Sequence, residues 1–158
     1  MINNLEAFLS NRKKIVFICL LIISLILIDQ ITKCIVVNNF VEKVGTFVAS
    51  INLNINTGMA LGLNEGNTKN IIITIIILIL IINFAVKQKD KIDKKTAIAL
   101  CLITAGGVSN LIDRFIYKGI VDFIDLYGFP IFNIADVYIV IGWMLLIICV
   151  FKYGTKKE

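Results

Sequence analysis

Among the 158 residues there is no histidine. That absence removes the Ser-His-Asp triad, the Cys-His dyad and the HExxH zinc site together, because each needs an imidazole as base or ligand. The four cysteines, Cys19, Cys34, Cys101 and Cys149, are scattered through apolar stretches without CxxC spacing. They read as small buried hydrophobes rather than a redox or metal set. No internal repeat is present, and no low-complexity tract beyond the Ile-rich stretch near residues 71 to 82. Any chemistry must therefore use carboxylates, lysine, serine or cysteine.

What the chain has in excess is apolar surface: 58% of its residues are hydrophobic, against about half in soluble domains. The length suits a single membrane domain, 1–158. Four charge-poor segments, about 15–37, 68–86, 96–114 and 130–151, each match the roughly 17 to 25 residues of a spanning helix. The first follows Arg12, Lys13 and Lys14 and resembles a signal peptide. No small-residue cleavage site or lipid-attachment box follows it, so it is expected to stay as a span.

Eleven of the sixteen basic residues lie in three places: Arg12 to Lys14, the stretch from Lys87 to Lys95, and Lys152, Lys156 and Lys157. Cytoplasmic flanks are enriched in Lys and Arg. Three such flanks share a side only if both termini are cytoplasmic, which puts segments 38–67 and 115–129 outside. The net charge of +5 then reports topology and contact with anionic phospholipid, not nucleic acid. Residues 1–14 are expected to be a polar extension on the cytoplasmic surface. In the first external segment Ile51, Leu53 and Ile55 alternate with Asn52, Asn54 and Asn56, the pattern of a half-buried strand, and a turn at NTG follows. A second short strand is expected over residues 120–124. The fold class is an α-helical integral membrane protein with four transmembrane helices and a small external β element.

Asp113, Asp122, Asp125 and Asp136 fall within 24 residues at the external ends of spans three and four. An ionisable residue inside a membrane segment costs on the order of 3 kcal/mol and is a functional candidate by default. Asp136 fits best. With a fourth helix starting near residues 130–133, it lies in the first turns, where the helix dipole favours a carboxylate and Asn133 shares its face. Its structural reading is a helix cap or a partner for Arg114. Short connections bring Asp122 towards Asp136, and two close carboxylates share a proton and titrate as a pair. One acts as general base on a water and the other as acid to the carbonyl oxygen and leaving amine, which is metal-free peptide hydrolysis. Asp29 and Lys33, four apart, can neutralise one another, and Arg114 can clamp a carbonyl or a lipid phosphate. Gly106 and Gly107 permit close helix approach, and Asn110 a hydrogen bond across it.

Two other readings use the same residues. A transporter or channel would thread a proton or cation past Asp29 and Asp136, but needs acids spread through the membrane depth. A Ser/Lys peptidase would take Ser24 or Ser109 with Lys33.

The stretches DQITK (29–33), NTGMALG (56–62), GGVSNLIDR (106–114), VDFID (121–125) and FNIAD (132–136) together resemble the prolipoprotein signal peptidases, the type II signal peptidases of bacteria. The chain departs from the family pattern at Ile55 and Met59. The resemblance implies an aspartic endopeptidase of the bacterial cytoplasmic membrane with its site at the external face. Its substrates would be diacylglyceryl-modified prolipoproteins, cut before the lipidated Cys without cofactor or metal. It places the catalytic pair at Asp122 and Asp136. It also places Asp29, Lys33, Asn56, Gly58, Ala60, Asn110, Asp113, Arg114 and Asn133 around the substrate.

Overall fold

A computed structural model describes residues 2–39, 44–46, 49–58, 67–88 and 92–154, with side chains between residues 12 and 152. Four long helices and three strands follow in the order α1 (Ile2–Asn39), β1 (Val44–Gly45), β2 (Ala49–Asn56), α2 (Asn67–Lys87), α3 (Lys94–Ile116), β3 (Ile120–Leu126) and α4 (Ile134–Gly154). Among the described residues, four helical stretches are long and apolar enough to cross a bilayer: Arg12–Asn39, Asn67–Lys87, Lys94–Ile116 and Ile134–Lys152. This is an α-helical integral membrane protein. The expected extension at residues 1–14 is, from residue 2 onward, the unbroken start of α1. Lys89, Lys91 and Ala60 lie outside the described residues.

The polarity is inverted relative to a soluble bundle. Outward faces carry Phe17, Leu20, Ile72, Leu80, Met144 and Phe151, each at least half exposed. Lipid tails, not water, meet such a surface. The buried set includes Asp29, Lys33, Asn70, Ser109, Asn110, Asp113, Arg114, Asp122 and Asn133. Half of the apolar window of α3 is buried, against 6% to 17% in the other helices. Helix α3 is the axial element: α1, α2, α4 and β3 all pack on it. Asp93 caps its start by accepting the Thr96 N–H at 2.9 Å.

Small residues set the α3–α4 separation. A Cβ on Gly106 would collide with the Ala135 carbonyl oxygen, and one on Gly142 would lie 2.8 Å from the Ala99 carbonyl oxygen. Both obstacles are backbone, so neither can swing aside. Gly106→Ala is expected to cost about 1–3 kcal/mol through overpacking. A lower melting midpoint in detergent with activity lost in parallel is the expected result; an unchanged midpoint means the two helices can separate freely.

The strands form one antiparallel sheet in the order β1-β2-β3, with Asn56 opposite Ile120, Asn54 opposite Asp122, and an irregularity between Ile51 and Asn54. The alternation seen in the sequence is broken at this irregularity, and at its two ends its sense is reversed. Ile51 and Ile55 are 43% and 39% exposed, while Ser50, Asn52 and Asn56 turn towards the acids of β3. The sheet covers a polar site, so Asn52 and Asn56 go in and Ile51 and Ile55 out, while Leu53 and Asn54, at the irregularity, are half-buried and exposed respectively. Past β2, the Gly58 N–H bonds to Asn56 Oδ1 at 3.0 Å, a turn of the Asx type.

Candidate active site

Three local devices carry Asp122 and Asp136 to one place. Helix α3 ends at Tyr117, and the chain reverses through Lys118 in the left-handed region (φ 59°). Gly119 then passes so close that a Cβ there would sit 2.9 Å from the Asn56 carbonyl oxygen. This starts β3 against β2 and puts Asp122 on the sheet. Beyond β3 the chain turns at Gly128 (φ 79°) and Phe132 pairs back onto Ile124, with N···O distances of 2.8 and 3.1 Å. That bridge delivers Asn133 beside Asp122, one residue before α4 begins.

Asn133 joins the two carboxylates. Its Nδ2 donates to Asp122 Oδ1 at 2.7 Å, and its backbone N–H donates to Asp136 Oδ2 at 3.2 Å. Its Oδ1 accepts the Asp136 N–H at 2.9 Å, so Asn133 and Asp136 form a reciprocal cap on the first turn of α4. Each acid has one further amide of its own. Asn56 Nδ2 donates to Asp122 Oδ2 at 3.0 Å, and Asn110 Nδ2 donates to Asp136 Oδ1 at 2.8 Å. Asp122 is 2% exposed although it lies on a sheet outside the spans; Asp136 is half-buried. The cap is thus present, but Asp136 is bonded to Asn110 and Asn133 and not to Arg114.

Beneath this pair lies a charged cluster. Lys33 Nζ is 2.7 Å from Asp29 Oδ2 and 2.6 Å from Asp113 Oδ2, and donates to Asn110 Oδ1 at 3.0 Å. The expected pairing of Asp29 with Lys33 is therefore half of a three-residue cluster, all of it at most 1% exposed. Asp29 also accepts the Ser109 hydroxyl at 2.7 Å and the Ala135 N–H at 2.9 Å, placing a carboxylate at the positive end of α4. Asp113 accepts the Val121 N–H at 3.1 Å, which holds β3 one residue before Asp122. Asn110 accepts a hydrogen bond from Lys33 on its oxygen and points its own N–H at Asp136, so the lysine's charge acts on Asp136 through one amide.

The residues brought together are Asp29, Lys33, Asn56, Gly58, Asn110, Asp113, Asp122, Asn133 and Asp136. Arg114 closes α3 at 8% exposure and lies within electrostatic reach of Asp113, Asp122 and Asp136. Two contributors escape the sequence reading. Gln30 donates to Asp113 Oδ1 at 2.8 Å and to Ser109, and Asn67 Nδ2 donates to the Arg114 carbonyl at 3.0 Å. Gln30 is polar inside an apolar run and adjoins Asp29, which was the available signal; Asn67 gave none. Ser109 turns its hydroxyl to Asp29 and Ser24 bonds back to the Leu20 carbonyl at 2.7 Å, so neither pairs with Lys33 as a Ser/Lys site requires.

Burial drives the Asp122 carboxyl up to about 6, with the Asp136 charge adding to it; the amides of Asn56 and Asn133 and the charge of Lys33 act in the opposite sense. A carboxyl so poised keeps its proton near neutrality better than an exposed aspartate.

The fold and site together are a four-helix membrane bundle with two amide-braced carboxylates at one end. The family model for signal peptidase II matches residues 21–152. A lipoprotein signal peptidase of Shouchella clausii (strain KSM-K16) is 32% identical over 146 residues, covering 87% of this chain and 95% of that protein. Two bacterial membrane enzymes solved by the in meso method share the architecture. The structure at 2.3 Å resolution superposes with TM-score 0.82 at 33% identity, covering 90% of this chain and 92% of that one. The other, at 1.9 Å, gives 0.76 at 35%, covering 85% and 92%. The chain belongs to the signal peptidase II family and is a membrane protease.

Proposed function

We propose that this signal peptidase removes the signal peptide of diacylglyceryl-modified prolipoproteins, cutting before the lipidated Cys, with Asp122 and Asp136 as its catalytic pair. The observation that carries the assignment is the single residue, Asn133, bonded to both carboxylates. Asp122, buried and inclined to hold a proton, is the acid that protonates the carbonyl oxygen. Asp136, half-buried and bonded by Asn110 and the Asn133 N–H, is the base that takes a proton from the attacking water. The proton then held by Asp136 passes to the leaving amine. No metal or covalent intermediate enters this scheme. Asn56 and Asn110 hold the two acids, and the Asp29–Lys33–Asp113 cluster holds β3 and the start of α4. Arg114, Gly58 and Ala60 border the substrate.

In this reading the chain is one membrane domain with both termini cytoplasmic. The acids lie at the ends of α3 and α4 remote from the basic 87–95 connection, hence at the external face of the bacterial cytoplasmic membrane. Their collection at one edge suits a substrate arriving laterally from the bilayer better than an ion path across it. Purified protein, offered a diacylglyceryl-modified prolipoprotein and its unlipidated precursor in a gel-shift assay, is expected to cut only the first. Cleavage of neither by folded protein would make the transporter the reading to pursue.

A further inference from the structure

Helix α2 buries its inner face against α3, the helix it packs on. Leu78 meets this contact opposite Gly107: a Cβ on the glycine would lie 3.1 Å from Leu78 Cδ2. Nearer the start of α2, Asn67 Nδ2 reaches the Arg114 carbonyl. Residues three apart share a helix face. Asn70, 1% exposed, lies between these two contacts, one turn along α2 from Asn67.

Here hydrogen-bonding capacity is buried without use. Both amide atoms of Asn70 and the Oδ1 of Asn67 have no partner. Among the described residues the Arg114 guanidinium also enters no ion pair, although Arg114 is within electrostatic reach of the acid pair. Buried polar side chains are nearly always paired, and an exception calls for an explanation. The two elements of the site otherwise leave few such groups idle: Asn56, Asn110 and Asn133 each use both ends of their amides.

We propose that Asn67, Asn70 and Arg114 form a subsite that receives a backbone peptide group of the substrate beside the scissile bond. The proposal rests on the peptidase reading and deepens it. The chemistry of the free atoms selects the ligand class. Asn70 Nδ2 and the guanidinium donate, whereas Asn70 Oδ1 and Asn67 Oδ1 can only accept. A peptide unit supplies a carbonyl to the donors and an N–H to an acceptor. A phosphodiester or a glyceride ester supplies acceptors alone and meets neither asparagine oxygen, whereas the peptide N–H meets one of them. The subsite therefore reads the chain of the substrate and not its lipid. It is independent of side-chain identity.

The test is a scan of backbone N-methylation through a diacylglyceryl-modified lipopeptide substrate, with KM and kcat measured for wild type and for Asn70→Leu. N-methylation deletes one N–H at a time. At one position it is expected to raise the wild-type KM about tenfold and to alter the KM of Asn70→Leu less than twofold. That variant already carries an increase of about tenfold on the unmethylated substrate, a loss of one hydrogen bond's worth of affinity. Asn70→Leu is expected to melt no lower than wild type, because leucine removes unmatched polar atoms from an apolar helix contact. If it does not fold, Asn70→Ala takes its place in the same comparison. Equal methylation penalties in both proteins at every position, or an unaltered KM in the variant, would overturn the subsite and leave Asn70 a packing residue or a water ligand. Absence of cleavage by wild type would instead bring down the peptidase reading on which the subsite rests.

Discussion

Asp136→Asn is expected to lower turnover of a lipidated prolipoprotein by at least about 10³-fold, within the range of general acid–base contributions, while the protein stays folded in detergent. The amide oxygen keeps the Asn133 N–H of the cap, while the N–H₂ replaces the oxygen that accepted from Asn110, so one hydrogen bond is lost together with the capacity to take a proton. Asp122→Asn is expected to be equally inactive, but its stability carries a second signature. The folded state raises the Asp122 carboxyl from 3.8 to about 6, so the folded chain binds more protons than the unfolded one between those values. Stability therefore falls as pH rises through that window and stays lower above it. A shift of about two units corresponds to an upper limit of about 3 kcal/mol. Asparagine removes this penalty, yet sets an N–H₂ against the donors of Asn56 or Asn133. The net expectation is a gain of about 1 kcal/mol at pH 7.5, gone by pH 4, read as a higher melting midpoint. In wild type, kcat/KM is expected to decline above about pH 6 as the shared proton is lost. Activity in either asparagine variant comparable to wild type would remove the pair, and an unaltered melting profile in Asp122→Asn would show that its carboxylate is solvated.

Lys33→Met is expected to be the most destabilising single change. It leaves Asp29 and Asp113 in the bundle interior, both 0% exposed, without the cation that lies within 2.7 Å of each. Breaking a buried ionic set from one side costs about 3–5 kcal/mol, a large part of ordinary domain stability. The triple change Asp29→Asn, Lys33→Met, Asp113→Asn removes all the charge together and is expected to recover most of the melting midpoint. It is not expected to recover full activity, because Asn110 then lacks the Lys33 hydrogen bond and its N–H polarises Asp136 less. The measurement pairs thermal unfolding with cleavage rate for both variants. Wild-type unfolding in Lys33→Met would mean that the acids are neutral in the fold and that the cluster is not charge-balanced by lysine.

Charge exclusion and apolar length, both local properties of a chain in a bilayer, were enough to read four helices from the sequence. The lack of histidine confined the chemistry to carboxylates, and the spacing of Asp113, Asp122, Asp125 and Asp136 pointed to one end of the bundle. Strand β2 was legible from period-2 alternation and a short strand was expected over 120–124, where β3 lies; the two-residue β1 was not foreseen. Which face of β2 looks inward was not legible, because that depends on what the sheet covers: with a polar site beneath it, Asn52 and Asn56 go in and Ile51 and Ile55 go out.

Only the tertiary structure decided how the acids are held. The Phe132–Ile124 bridge, the close approach of Gly119 to β2 and the Gly106 contact with α4 place Asn133 between Asp122 and Asp136. Lys33 chooses Asp113 as well as Asp29 because α1 and α3 meet at that height, an event 80 residues apart in the chain. Asn70 gave no signal at all, since an asparagine with unused hydrogen bonds differs from a satisfied one only in its neighbours. Sequence sets which groups a bilayer will bury; long-range packing sets which of them face one another, and pairing decides whether a buried charge is a brace or a reagent.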